Sequence, residues 1–216
     1  LTGMANFGDT TRAVAAGGIG PRAYSPGSTT NQIQFCTFAS QGDYADSGGD
    51  LTRSNMFMGC FNNKVRGVIA GGSYPYSNTI DYVTIQTLGN AADYGDLPAK
   101  AGYPAGLSSS TRGFMIGGIR VSAPDTADYN TITVFTTSTT GNAEDFGDIS
   151  TTRYEIASSS NATRGIIAGG YGPNYTNAIE YITMATAGNS QDFGDLTGLN
   201  GTGKGGGASP VRFVLG

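Results

Sequence analysis

Arg66-Gly-Val-Ile-Ala-Gly-Gly72, then Asn78-Thr-Ile-Asp-Tyr-Val-Thr-Ile85, then Gly89-Asn-Ala-Ala-Asp-Tyr-Gly-Asp-Leu97: these three phrases decide the fold, because the chain carries each of them four times in variant form. The double glycine recurs as Gly17-Gly18, Gly71-Gly72, Gly117-Gly118 and Gly169-Gly170. A period of about fifty residues belongs to the range of propeller blades. Ahead of each glycine pair stands a short apolar run opened by Arg12, Arg66, Arg112 or Arg164. Runs so short and so tightly bounded by glycine predict strands rather than helices.

The second phrase recurs from Asn31, Asn78, Asn130 and Asn177. Side chains alternate by two along a strand, so Ile80, Tyr82 and Thr84 share one face and Asp81, Val83 and Ile85 the other. Both faces are apolar at mid-strand, which predicts a sheet covered on each side by a neighbouring sheet. The third phrase ends in Asp93-Tyr-Gly-Asp96, Asp145-Phe-Gly-Asp148 and Asp192-Phe-Gly-Asp195, with a longer form at Asp46-Ser-Gly-Gly-Asp50. Between its last Asp and the next Arg lies room for one more strand, as in Ala105 to Thr111 and Ala157 to Thr163. The unit is therefore four strands, and four-stranded blades fanned about an axis make a propeller.

The expected organisation is all-β: four full repeats, about 1–50, 51–96, 97–148 and 149–195, with a partial fifth over 196–216, in one domain. Ala5 to Arg12 aligns without gaps to Ala105 to Arg112, so the chain opens near a first strand. The loops between Gly-Gly and Asn run 12, 5, 11 and 6 residues, a long-short alternation that points to a duplicated two-blade unit. An even-bladed ring would need more chain, so the sequence predicts a segment of a longer protein.

Composition narrows the function. Lys and Arg number 12 against 16 Asp and Glu, a net charge of -4, and the positives are scattered singly. This disfavours a nucleic-acid partner, which needs a basic stripe. No apolar run approaches the roughly 20 residues of a spanning helix, so no membrane insertion is expected and the chain reads as soluble. The 35 glycines and the scarcity of charged residues fit short strands and turns, while the apolar alternation sets the chain apart from low complexity. Cys36 and Cys60 fall in different strands and read as small apolar residues rather than a bridge.

There is no histidine, which removes the commonest general base and the commonest ligand of catalytic zinc. Paired-carboxylate hydrolysis needs only two acids, but no pair is singled out by breaking the repeat. Asp-Phe-Gly lacks every companion of the kinase triplet. Gly198-Leu-Asn-Gly-Thr-Gly-Lys-Gly205 nearly spells a phosphate-cradling loop, yet Gly205 stands where Ser or Thr is required. The recurring Arg and Asp read as structural, the arginines bonding carboxylates or sheet-edge carbonyls. Calcium held by paired Asp is the alternative. No cofactor and no enzymatic activity are expected.

Six of the 12 tyrosines, Tyr24, Tyr74, Tyr76, Tyr129, Tyr171 and Tyr175, fall in the loops after the double glycines. Tyrosine offers rigid amphipathic contact area, as interfaces and sugar-binding rims require. These rings either contact a partner or pin their own loops. Asn161-Ala-Thr163, Asn174-Tyr-Thr176 and Asn200-Gly-Thr202 match the glycosylation pattern, which an Asn- and Thr-rich chain also makes by chance.

A strand ending in Gly-Gly, a variable loop, a strand with Phe35, Tyr82, Val134 or Tyr181 at its centre, and a last strand with an aromatic together resemble the Kelch repeat. The chain departs from it in having no Trp, whose place Tyr94, Phe146 and Phe193 take. Arg-Gly-x-x-x-Gly-Gly with Asn-x-Ile-x-Tyr and Gly-Asn-x-x-Asp-Phe-Gly-Asp-Leu is also similar to Kelch-like repeats in virion proteins of tailed bacteriophages, especially those of marine cyanobacteria. The resemblance implies a non-enzymatic tail, fibre or capsid-surface component, located in the virion or outside cells. Its partners would be other virion subunits, or a glycan or protein of the host surface. A carbohydrate-binding lectin-like propeller is the alternative.

Overall fold

Four four-residue turns start the architecture. Asp9, Asn63, Ser109 and Asn161 each accept, through a side-chain oxygen, the backbone N–H groups two and three residues on, at 2.7 to 3.3 Å. A side chain that mimics a backbone turn folds the chain back at once. The strands flanking these turns pair antiparallel: β1 (Ala5–Gly8) with β2 (Arg12–Ala16), β5 (Gly59–Asn62) with β6 (Arg66–Ala70), β10 (Ala105–Ser108) with β11 (Arg112–Ser122), and β14 (Ala157–Ser160) with β15 (Arg164–Ala168). The computed structural model describes residues 3–20, 29–40, 42–122 and 125–198, with the side chains of 120–128 left aside.

Each hairpin extends by two strands. β3 (Gln32–Thr37) and β4 (Ala45–Asp50), β7 (Thr79–Thr84) and β8 (Ala92–Asp96), β12 (Asp125–Thr136) and β13 (Glu144–Asp148), and β16 (Ala178–Thr183) and β17 (Gln191–Asp195) complete four antiparallel sheets in simple chain order. β9 (Ala101–Gly102) adds a short fifth strand to the third sheet, beside β11. The first strand begins at Ala5, as the alignment of Ala5 to Arg12 predicts. Among the described residues every regular element is a strand. The partial fifth repeat and the near phosphate loop lie outside the described residues beyond residue 198.

The Asp-x-Gly-Asp phrase encodes a bulge. In each sheet the third and fourth strands slip register at the same repeat position, and Gly95, Gly147 and Gly194 sit there with φ of 148°, 149° and 142°. A side chain is strained at such angles, so glycine marks the spot and the strand bends. The double glycines are positive in φ at both residues, and the second donates its N–H to the segment leading into the next sheet: Gly18 to Asn55 O, Gly72 to Ala101 O and Gly118 to Arg153 O, at 2.8 to 2.9 Å. Gly-Gly thus fastens one sheet to the lead-in of its successor.

One element differs from expectation. The segment after Gly118 is not a loop: β11 and β12 continue past a bulge into a long hairpin, with Ile119 opposite Asp128 and Val121 opposite Thr126. β-branched Ile119, Val121 and Thr126 favour extended backbone and give the ladder its partners. Tyr129 is therefore a strand residue opposite Gly118.

Successive sheets pack face to face and the core lies between them. One apolar cluster joins Phe7, Val14 and Ile33 of the first sheet to Ile69, Val83 and Ile85 of the second. A second joins Phe61, Val68 and Ile80 to Met115 and Phe135, and a third joins Leu107, Phe114 and Ile132 to Ile167, Ile182 and Met184. The third strands of the two inner sheets, β7 and β12, are therefore buried on both faces, as the two-sided alternation predicts, while β3 and β16 are buried on one. The first strands β1, β5, β10 and β14 are neighbours in that order.

Those first strands are stitched by side chains at equivalent repeat positions. The Cys60 thiol donates to Asn6 O at 3.2 Å and Asn62 Nδ2 to Gly8 O at 2.5 Å. The Ser108 hydroxyl donates to Asn62 O at 2.7 Å, Ser158 to Gly106 O at 2.8 Å and Ser160 to Ser108 O at 2.7 Å. Each buried donor meets a carbonyl of the preceding sheet, so polar residues can line a dry interior.

Candidate functional site

The lead-in segments place an aromatic row at the double-glycine end. Phe57 and Tyr103 occupy one repeat position, each with left-handed backbone (φ 54° and 58°), and Glu155 holds it in the fourth repeat at 55°. Backbone in this region costs about 1–3 kcal/mol for a residue with a side chain, and such outliers cluster where a surface has been shaped. The turn is locked from repeat to repeat: Phe57 N donates to Gly3 O at 2.8 Å and Tyr103 N to Phe57 O at 3.0 Å.

From this backbone the rings form a continuous line. Phe57 and Tyr103 stack with centroids 4.5 Å apart, Tyr103 meets Tyr154 at 5.8 Å, Tyr154 meets Tyr171 at 5.5 Å, and Tyr171 meets Tyr175 at 4.8 Å. Tyr74 and Tyr76 stack on each other at 6.3 Å. Both adjoin Tyr103 closely enough that their phenols, after burial itself, help push its hydroxyl up to about 12. Tyr103 is thus a neutral hydrogen-bonding phenol across the physiological range. The main chain holds the outer part rigid, since Tyr154 and Tyr171 exchange both N–H···O bonds at 2.8 and 2.9 Å.

Of the six tyrosines singled out in the sequence, Tyr74, Tyr76, Tyr171 and Tyr175 join this surface. Tyr129 does not: no ring contact links it to the row among the described residues, and its carbonyl accepts from Arg153 N. Tyr24 lies outside the described residues. Phe57, Tyr103 and Tyr154 are the residues of the row that sequence reading missed. Aligning the lead-ins on Phe57, Tyr103 and Glu155 would have exposed the first two. The row is amphipathic, with Tyr74 46% and Tyr175 52% exposed at its rims, Tyr103, Tyr154 and Tyr171 half-buried and Phe57 buried.

The other candidates resolve into structure. Arg12 donates to Ile85 O and Gln86 O, Arg66 to Ser138 O, and Arg112 to Met184 O and Ala185 O, each in the next sheet. For these three the contacts are the expected sheet-edge carbonyls, whereas Arg164 lies over the Tyr181 ring of its own sheet, 4.7 Å from the centroid. No group of three or more Cys, Asp or Glu suited to a metal ion occurs among the described residues. Cys36 and Cys60 are both free thiols. Asn161 spends its side-chain oxygen on its own hairpin turn. A cleft of about 410 Å³ opens along the rim of the third sheet, walled by Arg112, Glu144 and Phe146 of that sheet, Tyr94 of the second and Ala185 after β16 of the fourth.

No protein-family model matches the chain, and no curated protein matches its sequence.

Proposed function

We propose that the four sheets are consecutive blades of a Kelch-like β-propeller, and that the module serves assembly or host attachment on a virus particle without catalysing a reaction. The aromatic row is the observation that carries the interaction reading. A line of half-buried tyrosines on a fixed backbone presents contact area that loses little entropy on binding. The virion setting comes from the resemblance of the repeat phrases, and with it come the expected partners: other particle subunits, or a glycan or protein of the host surface. Side-by-side first strands, stitched at equivalent positions, support the blade reading. The test is copurification of the chain with assembled particles, disrupted by Tyr74→Ala or Tyr171→Ala without loss of fold.

A lectin-like propeller is the second reading, favoured by the exposed rims at Tyr74 and Tyr175, since aromatic faces stack on sugar rings. Glycan-array binding abolished by the same two substitutions, with no particle association, would select it over the first. Fold alone does not choose between them.

A further inference from the structure

Position 134 breaks the repeat. In the other three sheets the arginine that opens the second strand lies over an aromatic ring of the third: Arg12 over Phe35 at 5.2 Å from the centroid, Arg66 over Tyr82 at 4.5 Å and Arg164 over Tyr181 at 4.7 Å. In the third sheet that ring is replaced by Val134. The register leaves no doubt of the equivalence, since Phe114 pairs with Val134 as Val14 pairs with Phe35, Val68 with Tyr82 and Ile166 with Tyr181. A cation set over a ring face is attracted to it. Arg112 is held ready for such a contact, for it donates to Met184 O at 2.8 Å and Ala185 O at 3.0 Å, just as Arg12 donates to Ile85 O and Gln86 O while lying over Phe35.

The place of the missing ring is the rim cleft, and each contact the ring would make is still there. Arg112, Val134, Glu144 and Phe146 all line it, and its volume of about 410 Å³ lies at the small end of the roughly 300–1,000 Å³ of small-molecule sites. Tyr82 meets Tyr94 edge-on at 6.1 Å in the second sheet, and Tyr181 meets Phe193 edge-on at 6.1 Å in the fourth. Phe146 holds that position in the third sheet. In the fourth sheet the Tyr181 phenol donates to the side-chain oxygen of Gln191, the residue directly across the ladder from it. Directly across from Val134 stands Glu144, an exposed carboxylate at the point where a ring hydroxyl would arrive. Phe35 and Tyr82 face Ala45 and Ala92 instead, so this acceptor is not a fixture of every repeat.

We propose that the cleft of the third sheet binds a phenol ring, as a tyrosine side chain presents it. The ring lies beneath the Arg112 guanidinium with its edge against Phe146, and its hydroxyl donates to the Glu144 carboxylate. A hydrogen bond to a charged acceptor is among the stronger ones, so the hydroxyl sets the preference for phenol over plain benzene rings. The third sheet is an inner one, with a packed sheet on either side, so the cleft owes nothing to the ends of the chain. It opens at the turn between β12 and β13, the opposite end of the strands from the aromatic row. The site is therefore separate from the surface proposed above for assembly or attachment, and either can fail without the other.

The test is titration of the full chain with N-acetyltyrosinamide, followed by backbone amide chemical shifts. Saturable shifts are expected at Thr139 to Asn142 and at Ala185, with N-acetylphenylalaninamide binding about tenfold more weakly for want of the hydroxyl. Glu144→Ala, at an exposed position, should erase that difference. Val134→Tyr should close the cleft from within, abolish binding and raise Tm by roughly 2–4 °C as the ring contact of the other repeats is restored. Unchanged circular dichroism establishes that the variants fold, and if Val134→Tyr does not fold, Glu144→Ala decides alone. Titration with p-cresol, the same ring without a peptide, identifies the source: binding of both probes assigns a tyrosine of a polypeptide, and binding of p-cresol alone a free phenol. Absence of saturable shifts with both probes overturns the proposal. So does equal affinity of the parent for the tyrosine and phenylalanine amides, or undiminished binding by a folded Val134→Tyr chain.

Discussion

Arg153 donates a charged hydrogen bond to Glu180 where both side chains are almost wholly removed from water, 1% and 5% exposed. Arg153 belongs to the lead-in of the fourth sheet and Glu180 to its third strand, so the pair anchors the lead-in against the sheet, with Ser150 N donating to the other carboxylate oxygen at 3.1 Å. Burial pulls the guanidinium down from its ordinary value and the carboxylate opposes that pull.

Removing one partner strands the other charge. Glu180→Ala should lower the unfolding free energy by about 3–5 kcal/mol, because an uncompensated buried guanidinium remains. For a chain of this size that is a fall in Tm of roughly 6–20 °C. Replacing both, Arg153→Met with Glu180→Met, should recover most of the loss, since the desolvation of both charges disappears together. Urea unfolding of the three variants measures the difference.

Asp81 holds the same repeat position in the second sheet and carries a pH signature. Burial raises its carboxyl above the ordinary 3.8, and the two bonds from Thr52, together with Arg53, oppose that rise. The native state therefore binds this proton more tightly than the unfolded chain. Its contribution to stability grows as pH falls through the raised native value and levels off below 3.8. Asp81→Asn has no proton to bind, so the stability of the parent relative to the variant should rise on acidification from neutral pH. A difference that is flat or falls would refute the assignment.

The sheets were legible because alternation by two and turn chemistry are local: Ile80, Tyr82 and Val83 declare both faces, and the Gly of Asp93-Tyr-Gly-Asp96 marks the bulge. The repeated arginines were legible too, since a residue that recurs in every unit points to a contact between units. The first strands were harder to read. Ser158-Ser-Ser160 shows no apolar alternation, because its hydroxyls are satisfied by carbonyls of another sheet, a contact that no local pattern records. Tyr103 and Tyr154 escaped for the same reason, their neighbours lying some fifty residues away in other repeats. Glu180 and Asp81 against Gln34 and Thr133 show that even and odd repeats differ in their buried chemistry as they do in loop length.

That stitching between first strands can be measured. Ser108→Ala and Ser160→Ala should each cost about 1 kcal/mol, the net value of a buried hydrogen bond. The two are coupled, since Ser108 donates to Asn62 O while its own carbonyl accepts from Ser160. A double-mutant cycle should therefore depart from additivity by roughly 0.5 kcal/mol or more, whereas Ser108→Ala paired with a rim substitution such as Tyr175→Ala should be additive. Additivity in both cycles would mean that the first strands are held by apolar packing alone.

Cys60 and Cys36 provide a chemical readout of the same interior. Cys60 lies between the first and second sheets, its thiol bonded to Asn6 O and pushed by burial up to about 11. Thiolate is the reactive form, so Cys60 is doubly protected, by exclusion and by protonation. Cys36, half-buried on β3, lacks that burial. A thiol reagent at mildly alkaline pH should label one cysteine promptly in the native chain and the second only on unfolding, and Cys36→Ser should abolish the prompt phase. Equal labelling of the two in the native chain would contradict the sheet packing around Cys60.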